Sequence, residues 1–345
     1  MPDGTRGLAV LGWPDGAVWP RDEHVPARIA AVHGSLAEAC AVAPGEAAGW
    51  VRHTGVKLAG TLDVTPVAGD WITMRGVEVM EVLPRRTALS RPSPGGRGRQ
   101  VLAANLDTVV VTVPVDRGLN QKMAERLTVM AWDSGAVPVL ALTKCDACRD
   151  VPGTVEQTAS LVPGVEVVAT SAVTGEGVAR LRELMGPGTT STLLGASGVG
   201  KTSLLNVLGG HRERVAAVGR DGEGRHTTTT RRLHFVTGGG VLIDLPGIRA
   251  LTLSARQEAI TDVFTEIAEL AGKCRFADCG HEHEPGCAVR QAVETGQLPR
   301  RRLDAWDAIQ RQLAHEERKH DPIARAAEKA KWKAVSKGIR RRQRG

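Results

Sequence analysis

Apolar residues change their spacing twice along this chain. From residue 34 to about 83 they fall in short runs broken by Gly and Pro (39–42 ACAV, 49–51 GWV, 69–74 GDWITM, 77–82 VEVMEV), the last alternating apolar with acidic positions. That pattern predicts a small β-barrel of the five-stranded oligonucleotide-binding type over 34–90. From residue 105 unbroken runs take over: 107–113 DTVVVTV, 137–142 VPVLAL, 165–169 VEVVA and 191–194 STLL, with helical spacing between them, as in 121–132. Buried runs alternating with helices predict an α/β domain with a mainly parallel sheet over 105–255. Residues 1–33 show no sustained period and read as an irregular extension. The segment 91–104 continues the Pro-, Gly- and Arg-rich stretch RRTALSRPSPGGRGRQ and reads as a basic linker able to touch phosphate. Residues 256–315 read as a helical metal-binding domain and 316–345 as a basic tail.

The loops after the buried runs carry the chemistry, because parallel sheets bind ligands at the carboxyl ends of their strands. Gly195-Ala196-Ser197-Gly198-Val199-Gly200-Lys201-Thr202 fits the phosphate-loop pattern, follows a strand and, from Ser203, opens a helix. Glycines there let backbone N–H groups close on phosphates and the helix N-terminus adds positive potential. Lys201 would reach the terminal phosphates, and Thr202 would offer its hydroxyl to Mg²⁺. Thr143-Lys144-Cys145-Asp146 ends the second strand and is one letter from the N-K-x-D element that reads guanine. A carboxylate at 146 accepts together from guanine N1–H and the exocyclic amine, and the Lys144 stem would lie on the base. Ser171-Ala172 ends the next strand and matches a further guanine-reading element. Downstream, 224–230 (GRHTTTT) has the composition of a nucleotide switch, with Thr228 a Mg²⁺ ligand and His226 a water-positioning group; Asp244 and Gly247 form D-x-x-G. Ile248 follows, where Ras-like enzymes place a Gln. Both base-reading elements precede the phosphate loop, so the order predicts a circularly permuted GTPase.

Near the carboxyl end Cys274, Cys279, His281 and Cys287 lie within 14 residues and make a tetrahedral Zn²⁺ set, with His283 as a rival ligand. Cys145 and Cys148 also form C-x-x-C, but without a second pair nearby they read as packing residues. Six Cys in 345 residues, no apolar run of the ~18 residues a membrane helix needs, and an N-terminus without signal-peptide layout predict a cytoplasmic chain with no membrane partner. The charge of +7 is concentrated: residues 300–345 hold 15 Lys and Arg against six Asp and Glu, and the rest of the chain sums to −2. An anionic partner for the carboxyl end follows, nucleic acid being the commonest.

Taken in order, the barrel, TKCD, SA, GASGVGKT, GRHTTT, DLPG and the Cys/His knuckle resemble the RsgA (YjeQ) family of ribosome small-subunit-dependent GTPases, from about residue 34 to 306; GDW, LPRRTALSRP, AANLDTVVV and GCAV are similar too. The resemblance implies a cytoplasmic, monomeric GTPase that binds GTP and GDP, with Mg²⁺ beside the nucleotide and one structural Zn²⁺. It also implies small-subunit stimulation in late maturation, the barrel and zinc domain gripping rRNA. Thr143 replaces the family's Asn, which ties the base loop to the phosphate loop, so guanine affinity is expected to be lower; Leu245 stands where Ser or Thr is common. Two other classes fit the same motifs: a nucleotide-gated RNA-binding module with negligible turnover, and a P-loop ATPase.

Overall fold

A computed structural model describes residues 6–13, 24–42, 50–60, 62–93, 98–209, 231–245 and 255–320. A short helix α1 (Arg6–Val10) precedes five strands, β1 (Val25–His33), β2 (Leu36–Val42), β3 (Trp50–Leu58), β4 (Trp71–Arg75) and β5 (Glu78–Val82). Their order β1-β2-β3-β5-β4, with β4 pairing back on β1, closes a barrel. Its interior is narrow because Ala27, Ala37, Ala39 and Ala41 line it beside Ile29, Val56, Ile72, Met74 and Val79. The barrel therefore starts at residue 25, not 34, and the supposedly irregular extension contains its first strand.

The segment read as a linker instead holds the end of β6 (Ala88–Pro92) and all of β7 (Arg99–Ala104), which pair as a two-stranded ribbon. The arginines that precede it are paired with carboxylates. Arg85 makes a two-pronged pair with buried Asp70, both contacts 2.7 Å, and Arg86 reaches Asp107 at 3.2 Å.

The α/β layers then run β8 (Thr108–Pro114), α2 (Gln121–Asp133), β9 (Val137–Thr143), α3 (Val151–Leu161), β10 (Glu166–Ala169), α4 (Val178–Leu184), β11 (Thr190–Leu194), α5 (Lys201–Gly209), β12 (Arg232–Phe235) and β13 (Val241–Asp244). Strands β10-β9-β8-β11-β13 are parallel, and β12 lies antiparallel to β13. Val110, Val139, Ala141, Val168, Leu193 and Leu242 from the strands meet Leu181 of α4 and Leu204, Leu205 and Leu208 of α5 in one core.

Barrel and sheet are continuous, since β1 pairs with β12 through Ala31 and Arg232. At this joint Leu8, Leu11, Ala30, Cys40, Trp71, Leu233 and Val241 pack together. Trp71 is 4% exposed and edge-on to Trp13 at 4.8 Å, so it is a core residue of this joint.

Helix α6 (Gln257–Val263) packs on α2 and belongs with this first unit, moving the expected boundary from 256 to 264. The second unit contains α7 (Thr265–Ala271), α8 (Ala288–Glu294) and α9 (Arg300–His320). Arg302 lies over the Phe264 ring at 4.2 Å and pairs with Glu266 at 2.5 Å, while Phe264 meets Trp306 edge-on. Among the described residues no helix is long and apolar enough to cross a membrane.

Candidate functional site

Because β9, β10, β11 and β13 run parallel, the loops after Thr143, Ala169, Leu194 and Asp244 all leave the same edge of the sheet. Glycine is required at the start of the third of these loops: a Cβ on Gly195 would lie 2.2 Å from Thr112 Oγ1. Gly198 and Gly200 take positive φ, and α5 begins at Lys201 with the Leu204 amide bonded to the Gly200 carbonyl. Ala196 and Ser197 are half-buried, Gly198 is exposed, and Thr202 and Ser203 are half-buried on the first turn of α5. Lys201 is 8% exposed and its Nζ donates to the carbonyls of Gly195 (3.0 Å) and Ala196 (2.6 Å). Burial pushes its pKa down to about 8, against an upward pull from the Asp244 carboxylate.

Thr143 answers the question raised by the missing Asn. Its hydroxyl donates to the Val199 carbonyl at 2.6 Å, joining the loop after β9 to the phosphate-loop segment. Lys144 then takes the left-handed conformation, with φ 61, and opens the short 3-10 turn Cys145–Ala147. Asp146 is exposed on that turn, and Ser171 Oγ donates to its Oδ1 at 2.5 Å. The same Ser171 oxygen accepts from the amides of Val173 and Thr174, and its amide bonds the Glu176 carbonyl, so the loop after β10 is tightly folded beside half-buried Ala172. Gly177 is needed there, since a Cβ would meet the Ala169 carbonyl oxygen at 2.0 Å.

One residue of this edge was not singled out from sequence. Asp116, just after β8, pairs with Lys144 at 3.0 Å and fixes the lysine head. Its signal was an acidic residue in a loop at the same carboxyl edge, with no motif around it. Asp244 closes β13 and is 4% exposed, beside buried Leu245. His226, Thr228 and Gly247 lie outside the described residues.

Residues 82–254 match the RsgA GTPase family model. A protein of Opitutus terrae named small ribosomal subunit biogenesis GTPase RsgA is 37% identical over 98% of both chains. The chain belongs to the RsgA GTPase family. A Streptomyces coelicolor protein of the same name is 42% identical over 86% of each chain. Among solved structures, YjeQ from Thermotoga maritima superposes with a TM-score of 0.63 at 26% identity, over 84% of this chain and 99% of that one. YloQ, titled a circularly permuted GTPase, matches in fold, with a TM-score of 0.59 at 22% identity over 87% of this chain and 98% of its own. The permuted strand order of this RsgA GTPase is thus that of a known fold.

In the second unit the metal-type ligands gather as their spacing implied. The ligand atoms of Cys274, Cys279, His281 and Cys287 all lie within 4.8 Å of one another. The Cys274 and Cys287 sulfurs are 3.9 Å apart and stand 3.7 and 3.5 Å from His281 Nδ1. Sulfurs held tetrahedrally at ~2.3 Å from one ion would be about 3.8 Å apart, so the set fits a metal. His283 is exposed and is not in this cluster. Instead its amide, with those of Gly280 and Glu282, donates to the Glu284 carboxylate and closes the loop around His281.

Proposed function

We propose that this RsgA GTPase binds GTP across the loops after β9, β10, β11 and β13, hydrolyses it to GDP and phosphate, and does so on the small ribosomal subunit. The bond from Thr143 to Val199 carries the reading, because it ties the segment presenting Asp146 to the segment ending in Lys201. Asp146 accepts from the guanine N1–H and amine, the Lys144 stem covers the ring, and the Ala172 amide donates to the guanine carbonyl. Ser171 helps to aim Asp146. Amides from Gly195 to Ser203 surround the phosphates, and Lys201 turns from its loop carbonyls to the terminal phosphates.

Thr202 and Asp244 supply a hydroxyl and a carboxylate, oxygen donors of the type that hold Mg²⁺, and Thr228 is the further ligand expected from sequence. Mg²⁺ bound there would neutralise charge on the phosphates. The protein's own role is to hold the chain of phosphates in line, to present Lys201 to the developing charge and, through Gly247, to sense the γ-phosphate. With Ile248 where a water-orienting Gln would stand, basal turnover is slow, and His226 is the residue proposed to orient the water once the subunit is bound. Thiolates and an imidazole favour Zn²⁺ as the ion of the Cys274, Cys279, His281 and Cys287 cluster.

Support for the partner comes from the names of the two relatives and from the basic carboxyl end, where rRNA phosphates would be met. The barrel and the metal unit are the other proposed rRNA contacts, and a cytoplasmic monomer is the proposed working form. Phosphate release from purified protein, with and without small subunits, tests the reading. GTP turnover is expected to be slow alone and strongly raised by the subunit. Binding without turnover would make the chain a nucleotide-gated RNA-binding module, and equal use of ATP would make it an ATPase. Unchanged stimulated turnover in His226→Ala would remove that residue from the scheme.

A further inference from the structure

The turn that presents Asp146 is flanked by two thiols that nucleotide binding does not use. Cys145 is 3% exposed and its Sγ donates to the Leu142 carbonyl at 3.1 Å. Cys148 is half-buried, with its Sγ 3.6 Å from Thr154 Oγ1. Between them the backbone makes one 3-10 turn, closed by the Cys148 amide on the Cys145 carbonyl at 3.0 Å. A turn closed this way holds its first and fourth Cα atoms within about 7 Å, and disulfides span Cα separations of ~4.4–6.8 Å. Among the described residues no third metal-type ligand joins the pair, which leaves thiol chemistry open to it.

We propose that Cys145 and Cys148 form a reversible disulfide that switches off guanine-nucleotide binding, a consequence that rests on the reading of Asp146 as the guanine acceptor. Cys148, the more accessible thiol, attacks as thiolate one sulfur of a low-molecular-weight disulfide RSSR, forming a mixed disulfide and releasing RS⁻, which takes up a proton. Cys145, once deprotonated, attacks the Cys148 sulfur and expels the second RS⁻. The two cysteines together lose two electrons and two protons, and RSSR becomes two RSH. Burial pushes the Cys145 thiol up, which assigns the first attack to Cys148. Closure takes the Cys145 sulfur from the Leu142 carbonyl and cross-links the turn on both sides of Asp146, pulling its carboxylate off the position that Ser171 sets.

The test uses the full-length, zinc-loaded protein exposed to glutathione disulfide. Peptide mapping reports the 145–148 link, and a fluorescent GDP analogue reports affinity. Oxidation is expected to lower affinity roughly tenfold or more, the loss that goes with one charge-assisted hydrogen bond, and reductant should restore it. Cys148→Ser is expected to bind as the reduced wild type does and to be insensitive to the oxidant. By linkage, bound GDP should slow formation of the disulfide. No 145–148 link in the mapped wild type, or a link without change in affinity, overturns the switch. An equal loss in Cys148→Ser assigns the effect to the other thiols of the chain and also overturns it. Reduced protein with no guanine-nucleotide affinity would overturn the functional reading itself, and with it this consequence, whatever disulfides are mapped.

Discussion

Thr143 is 4% exposed and gives its hydroxyl hydrogen to Val199, so a valine in its place keeps shape and burial while removing that bond. Leaving a buried carbonyl without its donor costs about 1–3 kcal/mol. We expect Thr143→Val to weaken GTP and GDP binding alike by roughly tenfold to a hundredfold, since a tenfold change is about 1.4 kcal/mol. Calorimetric titration of both nucleotides checks this, and an unchanged affinity would show that the tie is not what holds the loops. Lys201 gives a prediction in pH. Its folded pKa of about 8 lies below the ordinary 10.5, so between these values the unfolded chain binds more protons and the nucleotide-free protein gains stability as pH rises. Phosphate oxygens around the ammonium reverse the cause of the shift, so nucleotide binding above pH 8 should take up a proton and weaken with rising pH. Titrations at pH 8.5 in buffers of different ionisation enthalpy measure that uptake, and heats that do not depend on the buffer refute it.

Among the elements, β8, β9 and β11 were legible because a parallel strand covered on both faces writes itself as a near-continuous apolar run. Motif order then sufficed to read the permutation. Strand β1 was hidden for a related reason. Arg28, Ile29, Ala30 and Ala31 are all fully buried, because one face lines the barrel while the other meets the α/β layers, and so no alternation survives; an arginine in the run further disguises it. The ribbon β6–β7 was obscured by its Pro and Gly content, which is as typical of a linker as of a turn. Asp116 carried too weak a signal to be singled out without the fold, because its pairing with Lys144 joins residues 28 apart in sequence. The Cys/His knuckle was legible from spacing as a cluster of possible metal ligands, and it carries its own prediction. Cys287 caps α8 by accepting from the Arg290 amide, so losing the ion frees both the loop and the first turn of that helix. Chelation is expected to release one zinc per chain and abolish hydrogen-exchange protection from Cys274 through α8, leaving β11 and α5 protected. Retained protection over the knuckle would show that the thiols pack without a metal.

For the whole molecule, Arg28 is the strut that joins the barrel to the α/β layers within the first unit. Fully buried, it donates to the carbonyls of Gly69 at 3.2 Å, Asn105 at 3.1 Å and Leu11, and to Thr190 Oγ1 at 2.7 Å, with Trp71 under its guanidinium at 5.0 Å. Burial pulls its pKa down to about 10, with the Asp107 carboxylate pulling the other way, so it is charged at neutral pH. Gly69-Asp70-Trp71, Arg85-Arg86 and Asn105-Leu106-Asp107, which resembled the family without any evident role, are the surroundings of this strut. Asn105 Nδ2 also holds the Gly69 carbonyl, and Asp107 accepts the Thr190 amide on its carboxylate while its own amide donates to the Thr190 carbonyl. Thr190 begins β11, so the barrel is fastened to the root of the strand that leads into Gly195. Arg28→Met fills similar space but strips the guanidinium donors from the carbonyls of Gly69, Asn105 and Leu11 and from Thr190. Leaving these buried acceptors without their donor costs about 1–3 kcal/mol for each group so orphaned. The expected result in scanning calorimetry is a wild-type first unit that melts in one transition and a variant in which the barrel melts earlier and separately. The pairing of Ala31 with Arg232, the contact of Arg232 with Glu38 at 2.5 Å, the Asn105 bond to Gly69 and the Ala104 bond to Ala68 remain, and they are expected to be too few to restore cooperativity. A variant that still melted in one transition, within about 1 kcal/mol of wild type, would mean that the shared apolar joint of Leu8, Leu11 and Trp71 suffices, since packed apolar surface alone can couple two modules.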